Sequence, residues 1–122
     1  MINIVSKISK GWGYEDIFCS QADYCGKFLV FKEHGGCTSM HFHANKDETW
    51  VVQSGLFQVT WIDVDTTQLH TKTLEVGSIW RNTPMLPHRL SCIEPGVVLE
   101  VSTADHKEDN YKIMPGSSQN GS

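Results

Sequence analysis

Apolar residues in this chain fall into short runs that are separated by Gly, Pro, Asn and Asp. The runs are rich in Val, Ile, Phe, Trp and Thr, which is typical of β-strands, and no stretch keeps the 3.6-residue periodicity of an amphipathic helix. The pattern predicts strands over residues 15–19, 27–32, 39–43, 49–53, 57–62, 68–73, 78–81, 88–93 and 97–103. It predicts a hairpin turn at Ser54 and Gly55, a longer turn over 63–67 and a third turn over 75–77.

This succession of strands predicts an all-β fold. Eight or nine short strands in about 100 residues suit a double-sheet jelly roll or a small barrel. The chain has 122 residues, which is enough for one hydrophobic core and too few for two, and nothing in it repeats. We expect residues 1–115 to form a single domain. Residues 116–122 are predicted to be a flexible tail, because Gly, Ser, Gln and Asn cannot bury apolar surface.

Composition and charge narrow the range of partners. The formal net charge is −4 and there is no basic block, so nucleic acid and anionic membrane surfaces are not expected as partners. No apolar run approaches the roughly 20 residues of a membrane span. The N-terminal residues lack the apolar core and cleavage site of a signal peptide, so a cytoplasmic location is expected. The four cysteines form no C-x-x-C pair and are interpreted as reduced thiols.

Three histidines and a glutamate form the most informative group of polar residues. His41 and His43 are two residues apart, so on a strand both side chains point to the same face. Glu48 begins the next apolar run after a loop of four residues, and His88 follows later in the chain. Imidazole and carboxylate are ligands for Zn, Mn, Fe, Ni and Co, and this mixed set does not choose among them. The other histidines lack such neighbours and are expected to face solvent: His34, His70 and His106.

Four residues outside the metal group are candidates for contacts with a ligand. Glu100 interrupts an apolar run, and it must be protonated, paired, facing a wet cavity or pointing outward, because an unpaired buried carboxylate is costly. Lys27 opens a strand and either reaches an anion or lies solvated at the strand end. Alternation from His88 puts Cys92 on the face of that histidine, where it could line a cavity. Trp50 is expected in the core or at a subunit contact, with a sugar-stacking platform as the alternative.

The spacing of these residues resembles that of the cupins over roughly residues 11–115. The first cupin motif is matched in full, with its intervals, by Gly35, His41, His43, Glu48 and Gly55. The second motif is matched in part. Gly77 precedes His88 by eleven residues, but Thr83, Met85 and Cys92 stand where the family prefers Pro, Gly and Asn.

The cupin resemblance implies a fold, a cofactor and an assembly. The implied fold is a double-stranded β-helix, the cupin jelly-roll barrel. The implied cofactor is one divalent metal ion held by His41, His43, Glu48 and His88. Cupins commonly pair through their sheet edges, so the resemblance also implies a homodimer.

Within the cupins, the chain is similar to the isomerase half of type II mannose-6-phosphate isomerases. The segments that carry this resemblance are 12–15, 27–29, 48–55, 99–102 and 108–113. The group typically has an arginine where this chain has Lys112, which keeps the charge but loses the planar guanidinium fork. The resemblance implies a metal-dependent enzyme that interconverts a sugar or sugar-phosphate aldose and its ketose through an enediolate. Glu100 is then the base, Lys27 and Lys112 contact a phosphate or a sugar hydroxyl, and Trp50 and Cys92 are further substrate contacts.

Two other classes of function stay open from the sequence. The same cage of three histidines and one carboxylate, loaded with iron, serves dioxygenases that cleave small thiols, acids or diketones. A non-catalytic cupin would keep the barrel and the metal but only bind a sugar or a small acid. Oxygen uptake that depends on Fe(II) would favour the first class, and tight binding without turnover would favour the second.

Overall fold

The computed structural model describes residues 5–119 and folds them almost entirely into β-strands. The strands are β1 (Ser6–Lys10), β2 (Gly13–Ser20), β3 (Tyr24–Phe31), β4 (Met40–Phe42), β5 (Glu48–Asp63), β6 (Gln68–Leu74), β7 (Ile79–Asn82), β8 (His88–Thr103) and β9 (Tyr111–Met114). Residues 5–119 contain no helix, which confirms the all-β prediction. In particular, this part of the chain has no helix that is long and apolar enough to cross a bilayer.

Two long strands, β5 and β8, organise the fold. They are antiparallel partners over most of their length, from the pair Trp50 and Glu100 to the pair Trp61 and His88. The C-terminal part of β8 also pairs with β3, which continues the sheet to β2 and β1. The beginning of β8 pairs instead with β4, which is followed by β9. Since β5 likewise pairs with β7 near its start and with β6 near its end, the sheet curls into the double-sheet barrel that the sequence predicts.

The predicted hairpin at Ser54 and Gly55 is wrong, because β5 runs through these residues without reversing. Gly55 has a φ of +83°, and the register between β5 and β8 shifts on both sides of Ser54. A Cβ atom on Gly55 would lie 2.6 Å from the carbonyl oxygen of Glu94 on β8. The glycine therefore permits a bulged bend within β5. The strands predicted at 49–53 and 57–62 are therefore one strand, β5, and those predicted at 88–93 and 97–103 likewise form one strand, β8.

The sequence pattern missed β1 and β9, the two strands at the ends of the sheet path. Their side chains are exposed, apart from a half-buried Lys10 at the end of β1. Because neither strand buries one face, neither shows the alternation of polar and apolar residues by which the other strands are detected. The turns predicted at 63–67 and 75–77 are confirmed, since β5 ends at Asp63 and β7 begins at Ile79.

A core of aromatic and aliphatic side chains fills part of the barrel. Trp12 stacks on Phe31 with ring centroids 4.1 Å apart, and Phe31 in turn meets the edge of Phe57 at 5.1 Å. The remaining members of the buried cluster are Leu29, Trp50, Val52, Val59, Leu74, Leu90, Cys92 and Val98. Three members of this core, Trp12, Leu29 and Trp50, also line the cavity of the candidate site.

The described part of the predicted tail, residues 116–119, makes hydrogen bonds to two loops. Ser117 accepts a hydrogen bond from the N–H of Cys37 on its Oγ and donates its own N–H to the carbonyl of Cys37, both at 2.9 Å. The N–H of Gly11 donates to Oγ of Ser118, also at 2.9 Å. These contacts are made by backbone and hydroxyl groups, so they could not be predicted from the apolar residues of the segment. Residues 1–4 and 120–122, parts of the predicted domain and tail, lie outside the described residues.

Candidate metal centre and cavity

The structure brings together the three histidines that the sequence singles out. His41 lies on β4, His43 directly follows that strand, and His88 begins β8 as the cross-strand partner of His41. One ring nitrogen from each histidine falls within 4.8 Å of the others. The spacing of two residues in the H-x-H pair places both rings on one face, as the alternation of a strand requires.

Each of the three imidazole rings is oriented by a backbone carbonyl. The Nδ1 atoms lie 2.8 Å from the carbonyl oxygen of Ser39 for His41, 2.6 Å from that of Asp109 for His43, and 2.9 Å from that of Leu86 for His88. A carbonyl only accepts, so each Nδ1 carries the N–H that donates. Each Nε2 then keeps a lone pair. This is the orientation in which a histidine that binds a metal is usually held.

Burial favours the neutral imidazole at His41 and His43. It lowers the pKa of His41 to about 3, with a further contribution from the neighbouring His88. Burial likewise lowers the pKa of His43, against the opposing charge of Glu48. Neutral imidazole is the form that binds a metal ion, so these rings need not lose a proton at neutral pH before binding one.

Glu48, the fourth ligand that the cupin resemblance implies, lies beside His88. Its Oε1 atom lies 2.9 Å from Nε2 of His88, but Nε2 has no partner with hydrogen-bond geometry in the described part of the chain. Asn82, the cross-strand partner of Glu48, donates its Nδ2–H to the same oxygen at 3.1 Å. A buried nitrogen lone pair that faces a carboxylate suits a cation between the two, so the residues present fit a divalent metal ion.

Glu48 is ionised in this setting. Burial by itself raises the pKa of its carboxyl group. The positive charge of the nearby Lys46 opposes that effect, and the pKa lies well below its usual range. A buried carboxylate that stays charged is what a cation site requires.

Lys46 is a site residue that the sequence analysis missed. Its Nζ atom lies 3.2 Å from Oε2 of Glu48 and donates a hydrogen bond of 3.1 Å to Oε2 of Glu100. The residue is only 5% exposed, although it lies in the loop between His43 and Glu48. A lysine in a short polar loop is ordinarily solvated, so nothing in the local sequence indicated that this one is buried.

Glu100 is buried, lines the cavity and is paired with Lys27 and Lys46, so of the alternatives left open by the sequence only the outward orientation is excluded. Besides Lys46, the indole Nε1–H of Trp50 donates to its Oε1 at 3.0 Å. Burial and the nearby Glu48 carboxylate raise the pKa of Glu100, although Lys46 and Lys27 oppose that effect. A carboxyl group with a raised pKa, held by fixed donors, is suited to act as a general base that accepts and returns a proton.

Lys27 is fully engaged with carboxylates. Its Nζ atom lies 3.3 Å from Glu15, 3.2 Å from Asp105 and 3.6 Å from Glu100. Burial by itself lowers the pKa of Lys27, but the carboxylates outweigh it and raise the pKa. The side chain is therefore neither a solvated strand end nor free to bind an anionic ligand. Its direct neighbour among the candidate catalytic residues is Glu100.

The site residues described so far, apart from His88, line one cavity of about 460 Å³. Lys112 of β9 lies on its wall, consistent with its position opposite His41 in the β4–β9 pairing. Trp50 forms part of the wall. Cys92 does not, because it is 2% exposed within the hydrophobic core, where burial raises the pKa of its thiol. The other lining residues that carry charge are Lys10, Glu15, Lys27, Lys46, Glu48, Glu100, Asp105 and Lys107.

The three other histidines lie in different surroundings. His34 is exposed, as the sequence predicts. His106 is also exposed, but it contributes to the cavity wall. His70 is half-buried, because its ring stacks on Trp61 with centroids 5.3 Å apart.

The turn before His88 contacts the first histidine pair, although its residues depart from the cupin motif. Met85, which stands where the family prefers Gly, has a φ of +72°. Its N–H donates to the carbonyl of His43 at 2.7 Å, which fixes this turn against the first histidine pair. A non-glycine residue in this region costs about 1–2 kcal/mol, so the turn is strained at the edge of the candidate centre.

No protein-family model matches the chain, and no curated protein sequence matches it. Solved structures do match its fold. CapF from Staphylococcus aureus superposes on 89% of the chain with a TM-score of 0.75 at 14% identity, and oxalate decarboxylase from Bacillus subtilis superposes on 93% with a TM-score of 0.76 at 16% identity. The chain spans about a third of each of these two proteins, 34% and 32% respectively.

A third structure, KdgF from Halomonas sp., is comparable in length. It has a TM-score of 0.67 at 18% identity, and the match covers 78% of this chain and 81% of KdgF. At identities this low, the likeness shows the fold alone. These neighbours are cupins, and the chain accordingly has the cupin fold that its first motif predicts.

Proposed function

We propose that this chain is a metal-dependent isomerase that interconverts the aldose and ketose forms of a small sugar or sugar phosphate. The observation that carries the proposal is the position of Glu100. This buried carboxyl group, whose pKa is raised, lines the same cavity as His41, His43 and Glu48, and it is held by Trp50 and Lys46. An aldose and its ketose differ by the positions of one carbon-bound and one oxygen-bound proton, and a carboxylate of this kind is suited to move the carbon-bound one.

The metal would be held by His41, His43, His88 and Glu48. When bound there, a divalent ion supplies Lewis-acid polarisation of the carbonyl and hydroxyl oxygens of a sugar. The Bacillus subtilis oxalate decarboxylase contains Mn(II) centres, which is a precedent in this fold. The donors of the present chain also suit Zn, Fe, Ni and Co.

Glu100 performs the proton transfer in this proposal. As a carboxylate it removes the proton from the carbon next to the carbonyl, holds it as a carboxylic acid, and returns it to the former carbonyl carbon. The hydroxyl proton of the first carbon passes to the former carbonyl oxygen, so that the hydroxyl and the carbonyl exchange places. Lys46 and Trp50 orient its two oxygens through hydrogen bonds of 3.1 and 3.0 Å. Fixed donors of this kind keep a base in reach of its proton without reorganisation during the reaction.

The cavity supports a monosaccharide-sized substrate. Small-molecule sites have volumes of about 300–1,000 Å³, and this one has about 460 Å³. Lys27 and Lys46 are held by carboxylates deep in the cavity. Lys112, which is exposed on the wall and forms no ion pair within residues 5–119, is the residue that we assign to an anionic substituent such as a phosphate.

Solvent deuterium exchange tests this function. The metal-loaded protein is incubated in D₂O with a panel of aldoses and aldose phosphates, and NMR follows both isomerisation and deuterium at the carbon next to the carbonyl. We expect exchange with at least one sugar, and its loss in Glu100→Gln at unchanged metal content. Glu94→Gln is the matched control, because Glu94 is exposed on the same strand.

Three results would contradict the proposal. Retained exchange in Glu100→Gln would place the base elsewhere. Oxygen uptake dependent on Fe(II), without isomerisation, would favour a dioxygenase. Binding of a sugar without any exchange would favour a non-catalytic cupin.

A further inference from the structure

Asp109 holds the loop that connects two of the candidate metal ligands. Its carboxylate is buried and accepts three consecutive backbone N–H groups. The donors are those of Ala44 at 2.7 Å, Asn45 at 3.1 Å and Lys46 at 3.0 Å. These are the first three residues after His43. One side chain therefore fixes the backbone of most of the four-residue loop between His43 and Glu48.

The same residue also orients His43. The backbone carbonyl of Asp109 accepts the Nδ1–H of that histidine at 2.6 Å. The two contacts depend on each other, because the side chain of Asp109 fixes the position of its own carbonyl relative to the loop. Asp109 comes 66 residues after His43 in sequence, so the segment between β8 and β9 is part of the support of the candidate metal centre.

We propose that Asp109 is a positioning residue for the metal centre. Without touching the metal, it sets the orientation of His43 and the path of the chain to Glu48. The inference rests on the metal centre of the proposed function. A carboxylate that accepts several N–H groups makes strong, charge-assisted hydrogen bonds, and groups that orient metal ligands typically change metal affinity about 10–100-fold when they are removed.

A graded pair of substitutions tests this role. Asp109→Asn keeps the shape but replaces one acceptor oxygen with an NH₂ group that faces N–H donors, so it preserves only part of the contact. Asp109→Ala removes all of it. Glu108→Gln is the matched control, because it removes the same charge from an exposed neighbour that makes no side-chain hydrogen bond or ion pair in residues 5–119.

The measurement is the dissociation constant of Zn²⁺ and of Co²⁺, obtained by competition with a chromophoric chelator. We expect affinity to fall by about tenfold in Asp109→Asn and about 100-fold in Asp109→Ala, and to stay at the wild-type value in Glu108→Gln. A second readout needs no metal. In the metal-free protein, the amides of residues 44–46 should exchange faster in Asp109→Asn than in the wild type, while amides of β5 stay protected.

The outcomes separate a positioning residue from a simple loop cap. If the Asp109 variants are less stable but bind metal as tightly as the wild type, the positioning role is overturned, and the isomerase proposal is unaffected. If Asp109→Asn loses metal affinity while no sugar exchanges deuterium in the wild type, the positioning role stands and the isomerase proposal fails. A wild-type protein that binds neither ion overturns the metal centre itself. If Asp109→Ala does not fold, Asp109→Asn decides.

Discussion

The Nζ atom of Lys46 lies 3.2 Å from Oε2 of Glu48, and both side chains are buried. The candidate metal centre thus has a cation of the protein beside its carboxylate ligand. The same ammonium group bonds to Glu100 at 3.1 Å, so it couples the metal-binding carboxylate to the proposed base. Two carboxylates this close require a positive charge between them.

Replacing Lys46 with Met should therefore destabilise the metal-free protein, because it leaves Glu48 and Glu100 without their shared cation. Breaking a buried ion pair typically costs about 3–5 kcal/mol, and we expect a loss of that order in the free energy of unfolding. A bound divalent metal should restore part of it by supplying positive charge. Urea unfolding with and without metal measures both effects. Lys72→Met, at an exposed position of β6, is the control. An equal loss with and without metal would contradict the prediction.

The free energy of unfolding should also depend on pH, because Asp105 forms ion pairs with Lys27 and Lys46. Burial by itself raises the pKa of this carboxyl group, but Lys27 and Lys46 outweigh burial and lower it below the ordinary value of 3.8. Because the pKa is lower in the folded than in the unfolded state, Asp105 contributes stability above the ordinary value, and this contribution is lost as the pH falls through the folded pKa. Unfolding free energies measured from about pH 6 to about pH 2 should therefore fall more steeply in the wild type than in Asp105→Asn. Parallel curves would show that the ion pairs contribute nothing.

The bend of β5 can be tested with two glycines that share a backbone conformation. Gly55 and Gly77 have φ values of +83° and +87°, but only at Gly55 would an added Cβ meet other atoms, the nearest at 2.6 Å. Gly77→Ala should cost only the strain of the left-handed conformation, about 1–2 kcal/mol. Gly55→Ala should cost clearly more in the same thermal or urea unfolding experiment, because the strand would have to move from β8. Equal costs would mean that the close approach of the two strands is not a constraint.

The sequence predicted those parts of the site that follow from strand geometry. His41 and His43 share a face because strands alternate, and the cupin spacing indicated that Glu48 and His88 would join them. The supporting contacts could not be predicted in this way. The carbonyl of Asp109, which accepts the hydrogen bond of the His43 ring, lies 66 residues away in sequence. The carboxylate of Glu100, to which the buried Lys46 donates, lies 54 residues away. Contacts between distant segments leave no periodicity in either segment.

The fold shows the same division. The buried strands could be predicted from their apolar runs, whereas the exposed strands β1 and β9 could not. Gly55 is ambiguous for a different reason, because a glycine with positive φ serves equally in a hairpin turn and in a bulged bend. Homodimerisation through a sheet edge and a cytoplasmic location stay predictions from the sequence.

Metal content tests the central claim most directly. Elemental analysis would compare the wild-type protein, purified without chelator or affinity-metal steps, with a His41→Ala, His43→Ala double variant. The account predicts close to one divalent ion per wild-type chain and none in the variant, with the far-ultraviolet circular dichroism of both proteins unchanged. Absence of metal from the wild type, even after incubation with Zn²⁺, Mn²⁺, Fe²⁺, Ni²⁺ and Co²⁺, would contradict it.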